Sequence, residues 1–255
     1  MMKRGHMNRK IIRSLVPAAF WIIVWLIAWR AVDQELLLAS PLQVLQCFRL
    51  MGNGSFWLKV GSSVGGGLEA YVIGVSVGFV LAVLCSAISW VDLLIRPALT
   101  VIRATPVASF IILALVWLSA DRVPILAGAL MTIPVIFVSV SSGILSTDPQ
   151  LLEMARLFGF SKLKTWCRVI LPGLFPAFAA SCEACVGMCF KATIAAEVIG
   201  LPRDSIGTGL HNAKIYLETD QLMFWTLIVI LLSLVVEKSI RFAIERGLKH
   251  VHRFA

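Results

Sequence analysis

Six stretches of this chain are apolar over about the length that a helix needs to cross a membrane, roughly 20 residues. They run over Ser14–Val32, Val64–Ile88, Ile95–Leu118, Val123–Leu145, Ile170–Ile199 and Leu222–Ile240. Only 15% of the residues are charged, against about a quarter in soluble domains. The sequence therefore predicts an all-α membrane protein with six transmembrane helices. It argues against a soluble enzyme, a DNA-binding domain or a disordered chain.

The placement of the basic residues explains the net charge of +9. Five precede the first apolar stretch, and five lie at or after the C-terminal end of the last one, from Lys238 onward. If both termini are cytoplasmic, the inner segments, which include 89–103 and 146–168, hold sixteen Lys and Arg and the outer segments six. Lys and Arg are retained on the cytoplasmic side. We therefore predict that both termini are cytoplasmic and that no nucleic acid is bound.

Small residues and cysteines occur inside the predicted spans. Gly74-x3-Gly78 and the run Gly65–Gly67 would allow helices to approach closely. Cys182, Cys185 and Cys189 have a spacing that is compatible with a metal site, but they lie in an apolar segment of small residues. Buried cysteine also behaves as a small hydrophobic residue. Helix packing is the favoured interpretation of the three cysteines.

Two segments on the predicted outer side are longer than turns. Asp33–Gly61 contains Ser40 followed by Pro41, which is typical of a helix N-terminus and predicts a short surface helix. Gly200–Gln221 is polar and contains glycines, so we expect it to form a loop.

The segment 148–172, between the fourth and fifth spans, predicts two short helices that meet at a corner. Asp148 and Pro149 begin the first helix, Gly159 ends it, and Ser161 caps the second. Apolar residues recur at helical spacing in the first helix: Leu151, Met154, Ala155 and Phe158. So short a helix is marginal alone. The membrane, the rest of the chain or a partner must cover its apolar stripe.

Glu153-Met154-Ala155, Gly159 four residues after Ala155, and Leu171-Pro172 further on resemble the EAA loop of ATP-binding-cassette (ABC) importer permeases. The family pattern is Glu-Ala-Ala, three residues, Gly, nine residues, an Ile-like residue, one residue, then Leu-Pro. Met154 departs from it, and Val169 takes the Ile-like place.

Further segments are similar to the sulfonate, taurine and nitrate permease subfamily. They are Ala39–Leu45, Arg96-Pro97, Arg103–Pro106, Ala195–Gly200 and Ile206–Leu210. With the EAA-like loop they occur in the family's order, so the resemblance covers nearly the whole chain.

The resemblance implies a type I importer fold over residues 14–246, between cytoplasmic tails at 1–13 and 247–255, in the bacterial inner membrane. Two permease copies would form the solute pathway by alternating access. Two cytosolic ATPase subunits, which use ATP and Mg, would dock on the EAA loops, and an external binding protein would deliver the solute. This chain would bind no cofactor or metal and catalyse no reaction, and it has no Gly-x4-Gly-Lys-Ser/Thr phosphate loop.

On that pattern Glu153, Ala155 and Gly159 belong to the helix that couples to the ATPase, with Leu151, Met154, Phe158, Leu171 and Pro172 completing the loop. The subfamily implies a small anion such as a sulfonate, taurine or nitrate, or a vitamin precursor, as the solute.

Three charges inside the fifth span are candidates for the pathway, because an intramembrane charge costs several kcal/mol and faces a cavity or a partner. Lys191 either attracts an anionic solute or reaches another helix. Glu197 either contacts solute or anchors the loop that contains Gly200–Gly209. Glu183 lies about two turns from Lys191 on a similar face.

Three other classes remain open. A secondary transporter or channel would explain the spans and the charges but not the EAA-like loop. An intramembrane enzyme lacks a His-Glu-x-x-His pair and an aspartate pair within the spans. A small adaptor would not need six spans.

Overall fold

The computed structural model describes residues 3–251, without the side chains of residues 3–15, 18 and 247–251. The outermost residues of the two predicted tails, 1–2 and 252–255, lie outside the described part. Within it the chain is helical. The helices are α1 (Lys3–Val32), α2 (Pro41–Gln46), α3 (Gly54–Ala87), α4 (Ser89–Ala104), α5 (Val107–Ala114), α6 (Val123–Leu145), α7 (Pro149–Leu157), α8 (Lys162–Thr165), α9 (Leu171–Gly200), α10 (Ile206–Ile215) and α11 (Thr219–Val251). A 3-10 helix follows α2 at Cys47–Gly52, and a π-helical turn at Trp166–Ile170 joins α8 to α9.

Three helical segments of the described residues are long and apolar enough to cross a membrane: Gly54–Ala87, Val123–Leu145 and Lys162–Gly200. The bent pair α4 and α5 would make a fourth. The apolar part of α1, Ala19–Val32, is shorter than a span, and the predicted sixth span lies within α11. The count of six therefore stays a prediction.

The predicted third span, Ile95–Leu118, is wrong as a continuous helix. It breaks between α4 and α5, whose axes differ in direction by 106°. Thr105 precedes Pro106 and has extended backbone angles, φ −78° and ψ 130°. Proline disfavours the helical conformation in the residue before it and cannot donate a backbone hydrogen bond, which accounts for the break.

The predicted second span, Val64–Ile88, coincides with the C-terminal part of α3. The helix itself starts at Gly54 and continues through the glycines of Gly61–Gly67. Of these, Gly67 packs closely on Phe190 of α9, and tertiary contacts of this kind offset the weak helix propensity of glycine.

The chain divides into two compact units. One comprises the chain up to Trp57 together with Gly209–Ile228, and the other comprises Leu58–Thr208 and the chain from Val229 onward. In the first unit the rings of Phe56 and Trp225 stack with centroids 5.2 Å apart, and Phe224 lies edge-on to Phe48 at the same distance. The predicted cap of α2 is present, since Ser40 Oγ accepts a hydrogen bond from the Gln43 amide.

The second unit is built on close contacts of α6 with α9 and α3. A Cβ atom at Gly128 would lie 2.5 Å from Thr193 Oγ1, and one at Gly74 would lie 2.5 Å from Thr132 Cβ. Gly78 packs equally closely on Ile136. Glycine is required at these positions because helices this close leave no room for a side chain.

The three cysteines of α9 belong to this packing. Cys182 and Cys185 join a buried cluster with Ile136, Phe137 and Val140 of α6. The six cysteines are free thiols, and Cys167 is exposed. No cluster of metal-ligating side chains occurs among residues 3–251 whose side chains are described.

Candidate functional site

The loop between α6 and α9 folds as two short helices at a sharp corner. Asp148 Oδ1 caps α7 by accepting a hydrogen bond from the Gln150 amide at 2.8 Å. Gly159 adopts a left-handed conformation with φ +66°, which costs glycine little and other residues about 1 kcal/mol or more. The Phe160 amide then closes the corner on the Ala155 carbonyl at 2.9 Å. The Glu-x-Ala-x3-Gly spacing thus places glycine at the one residue whose backbone requires it.

The side chains of this loop divide into buried and exposed groups. Ala155 is fully buried, whereas Leu151 and Met154 are partly exposed. The exposed fraction reaches 73% for Phe158 and 88% for Leu157. The predicted apolar stripe is therefore covered by the chain only at Ala155, and Glu153 is exposed beside it.

Leu157 and Leu163 were missed as site residues from the sequence. Leu163, which lies across the corner in α8, is 75% exposed. We define the corner surface as Leu157, Phe158 and Leu163. All three lie within four residues of Gly159 in the sequence, and the described part of the chain leaves them exposed. The helical stripe pattern gave no signal for it, because Leu157 lies off the stripe and Leu163 lies on another helix.

The corner is continuous with α9 through the turn at Trp166–Ile170. Lys164 Nζ lies 4.1 Å from the centroid of the Phe160 ring, and Ser161 Oγ caps α8 through the Lys164 amide. The π-helical turn leads directly into Leu171 and Pro172, both exposed at the start of α9.

Glu197, near the other end of α9, lies in a buried hydrogen-bond network. Its Oε2 atom accepts hydrogen bonds from Ser63 Oγ at 2.8 Å and from the Gly207 amide at 3.0 Å. Ser63 Oγ also accepts from the Ile206 amide at 2.9 Å. A Cβ atom on Gly207 would overlap Glu197. This geometry favours the anchoring interpretation of Glu197 over solute contact.

Ser63 also lies in Gly61-x-Ser63-x-Gly65, and Ser76 in Gly74-x-Ser76-x-Gly78, which match the spacing of a hydrolase nucleophile elbow. Both runs lie inside α3, whereas the elbow requires a strand-to-helix turn. They therefore do not form such an elbow.

The other two predicted charges are separated by the structure. Glu183 Oε2 lies 3.4 Å from Arg241 Nε of α11, and Glu237 Oε1 lies 3.4 Å from Arg241 Nη2. Lys191 is exposed and makes no hydrogen bond or ion pair with any other side chain that the structure describes. Glu183 is thus compensated by Arg241, and Lys191 is an uncompensated cation.

Comparison with known proteins extends these observations. Residues 74–249 match the family described as binding-protein-dependent transport system inner membrane component. The chain is 28% identical over 223 residues to the putative aliphatic sulfonates transport permease SsuC of Escherichia coli, covering 87% of this chain and 83% of the relative. It is 23% identical to the taurine transport permease TauC of the same organism, covering 98% and 90%. It is 22% identical to the formylaminopyrimidine transport permease ThiX of Halalkalibacterium halodurans, covering 86% of each chain.

Solved structures show the same fold. An amino acid ABC transporter crystallised with histidines superposes with a TM-score of 0.66 at 19% identity, covering 79% of this chain and 97% of that one. The MetNI methionine ABC transporter gives 0.53 at 17% identity, covering 77% and 94%. A permease component of an ABC importer works with a cytosolic ATPase and a substrate-binding protein and is not itself an enzyme. The chain belongs to the binding-protein-dependent transport inner-membrane family, and it is such an inner-membrane permease component.

Proposed function

We propose that two copies of this chain form an alternating-access pathway, and that each copy docks a cytosolic ATPase on the loop 148–172. The corner surface carries this proposal. These large apolar side chains are exposed and follow an exposed Glu153, which favours a protein partner as their cover, because exposed apolar patches mark interaction sites.

The mechanism follows from how the corner is joined to the bundle. α9 is packed along α6 through Gly128 and is joined to the corner by the π-helical turn. Closure of the ATPase dimer would press on the corner and move α9 as a rigid lever. Packed interfaces change between discrete arrangements rather than deform continuously, which suits a two-state pathway.

A pull-down of the tagged chain with its ATPase in mild detergent tests the docking. We expect Phe158→Asp to abolish co-elution of ATPase activity, because it places a carboxylate in an apolar contact. Glu153→Arg combined with Gly159→Pro should do the same. Tyr216→Asp is the matched control, because Tyr216, directly after α10, is an aromatic residue with almost the same exposed fraction, 72%.

A wild-type chain that elutes alone and still moves solute in liposomes would refute the coupling and favour a secondary transporter. Equal loss of co-elution in Phe158→Asp and Tyr216→Asp would show that the contact is not located at the corner.

The solute is proposed to be a small anion, and Lys191 to line its pathway. From Ala180 onward the exposed positions of α9 form one stripe: Ala180, Ala184, Met188, Lys191, Ala195 and Ile199. Lys191 is its one cation. An uncompensated charge at this depth faces water or a partner, and two of the relatives are named for sulfonates and taurine, which contain a sulfonate group.

Uptake of taurine and of a short aliphatic sulfonate by the reconstituted complex tests this role. We expect Lys191→Met to raise the half-saturating concentration or to abolish uptake, and Lys191→Arg to retain uptake. Unchanged uptake and concentration dependence in Lys191→Met at equal expression would remove Lys191 from the pathway.

A further inference from the structure

Helix α4 contains residues 89–103, which charge counting assigned to the cytoplasmic side although the predicted third span, Ile95–Leu118, overlaps them. The structure places them instead along the side of α6. Ile102 and Thr105 line a small cavity with Ala127, Leu130 and Met131. Leu99 is buried in the cluster that contains Ile136, Phe137 and Val140. α4 therefore runs antiparallel to α6, and its C-terminal end lies near the N-terminal end of α6 at Val123.

This packing fixes the depth of Arg103. α6 has 23 residues and is about 35 Å long at 1.5 Å per residue, enough to cross the roughly 30 Å apolar core. Ala127–Met131, the level of Ile102, lies only about 6–12 Å from the Val123 end of α6. Arg103 follows Ile102 directly. It therefore lies far from the inner end of α6, to which a positive-inside interpretation would assign it.

The surface of α4 divides into three lengthwise stripes. Val91, Ile95, Leu99 and Ile102 pack on the cluster just described. Trp90, Leu94 and Val101 form an exposed apolar stripe. The remaining stripe is polar, and we define it as Asp92, Arg96, Thr100 and Arg103, spaced at i, i+4, i+8 and i+11. A helix between protein and lipid alone would need only the first two stripes.

The charges of the polar stripe are compensated at its N-terminal end, where Asp92 pairs with Arg96, and not at its C-terminal end, at Arg103. Arg96 Nε lies 2.6 Å from Asp92 Oδ1, and Thr100 Oγ1 donates to the Arg96 carbonyl. Arg103 is exposed and forms no ion pair or hydrogen bond with a described residue. A bare guanidinium at this depth is retained where it faces water or a counter-ion.

Lys191 lies at the same level as Arg103. Gly128 of α6 packs between Thr193 and Cys189 of α9, which are the residues two positions to either side of Lys191. Arg103 is next to the residue that faces Ala127–Met131. Two uncompensated cations, on α4 and on α9, therefore share one level of the bundle.

We propose that the polar stripe of α4 lines the aqueous solute pathway and that Arg103, together with Lys191, binds the oxyanion group of the solute there. The guanidinium presents two parallel N–H donors, which match two oxygens of a sulfonate or carboxylate. This inference rests on the proposed permease function, since the pathway gives the water a route to this depth.

Cysteine labelling tests the polar stripe directly. In a Cys167→Ser background, which removes the exposed native thiol, we would introduce Thr100→Cys and Arg103→Cys on the polar stripe, and Leu94→Cys and Val101→Cys on the apolar stripe. Each variant is labelled in membrane vesicles with the charged sulfonate reagent MTSES. We expect both polar-stripe cysteines to react at least tenfold faster than both apolar-stripe cysteines. Equal rates, or faster labelling of Leu94→Cys and Val101→Cys, would overturn the proposal.

Protection of Thr100→Cys tests the anion site while Arg103 is intact. Millimolar taurine or inorganic sulfate should slow MTSES labelling severalfold, whereas chloride at equal ionic strength should not. Adding Arg103→Gln should abolish the protection, and Arg103→Lys should retain part of it. Equal protection in Arg103→Gln would exclude Arg103 as the anion ligand.

The ATPase pull-down is run on the same membranes and separates the two proposals. A bound ATPase with an unlabelled polar stripe would refute only the inference about α4. A chain that never binds an ATPase would refute the proposed coupling, whatever the labelling pattern shows.

Discussion

The hydrogen-bond network around Ser63 allows a quantitative prediction. The side chain is fully buried, donates to Glu197 Oε2 and accepts from the Ile206 amide. Ser63→Ala removes both hydrogen bonds: loss of the bond to Glu197 costs about 1 kcal/mol net, and the buried Ile206 amide left unpaired costs about 1–3 kcal/mol. The two effects add to roughly 2–4 kcal/mol. The network should therefore open roughly 30 to 700 times more often, since 1.4 kcal/mol is about a factor of ten.

Hydrogen exchange of the peptide that covers residues 200–210 measures this opening, because the Ile206 and Gly207 amides both donate into the network. Ser62→Ala is the matched control. Ser62 neighbours Ser63 in α3 but is exposed, so its loss should change stability by less than about 0.5 kcal/mol. If exchange in Ser63→Ala stays within twofold of exchange in Ser62→Ala, the network does not anchor the segment after α9.

Two further predictions concern packing and thiol chemistry. Gly128→Ala should lower the free energy of unfolding by about 1–3 kcal/mol through overpacking, which thermal unfolding would show as a lower midpoint. Gly65→Ala should leave the midpoint unchanged, because no atom lies within 4 Å of the added Cβ. Burial and the hydrogen bond to Asp220 raise the pKa of Cys47 to about 11, so about one thiol in a thousand is ionised at pH 8. Maleimide labelling of Cys47 should therefore lag far behind that of Cys167 and rise tenfold per pH unit up to about pH 11, and Asp220→Asn should accelerate it. The folded state favours the neutral form of the Cys47 thiol. The thiol therefore contributes to stability below about pH 9, and this contribution is lost as the pH rises toward 11.

Local patterns in the sequence predict much of this structure. The bounds of α6 are those of the predicted fourth span, and Ser40, Asp148 and Ser161 each cap a helix as expected. These features depend on neighbouring residues and on hydrophobic length alone.

The break before α5 was also accessible from the sequence. Proline biases the preceding residue away from the helical conformation, so Thr105-Pro106 signals an interruption. The predicted third span, Ile95–Leu118, followed the apolar length of the segment and not this signal.

Long-range relations were not accessible in this way. Ser63 and Glu197 are separated by 134 residues, and no periodicity connects them. The depth of Arg103 depends on which part of α6 packs against α4. Charge counting assigned this residue to the cytoplasmic side, although it lies within the predicted third span, because a polar stripe on a helix and a basic loop have similar compositions.

The π-helical turn at Trp166–Ile170 has a consequence for the direction in which the corner at Gly159 points. A π-turn accommodates an extra residue without ending the helix, and each residue of an α-helix accounts for about 100° of rotation and 1.5 Å of rise. Removing one residue here would swing the corner by roughly 100° around the axis of α9 while leaving the bundle unchanged. The angle at which the chain presents its corner is therefore set by one inserted residue, so it can change between related chains independently of the sequence that forms the pathway.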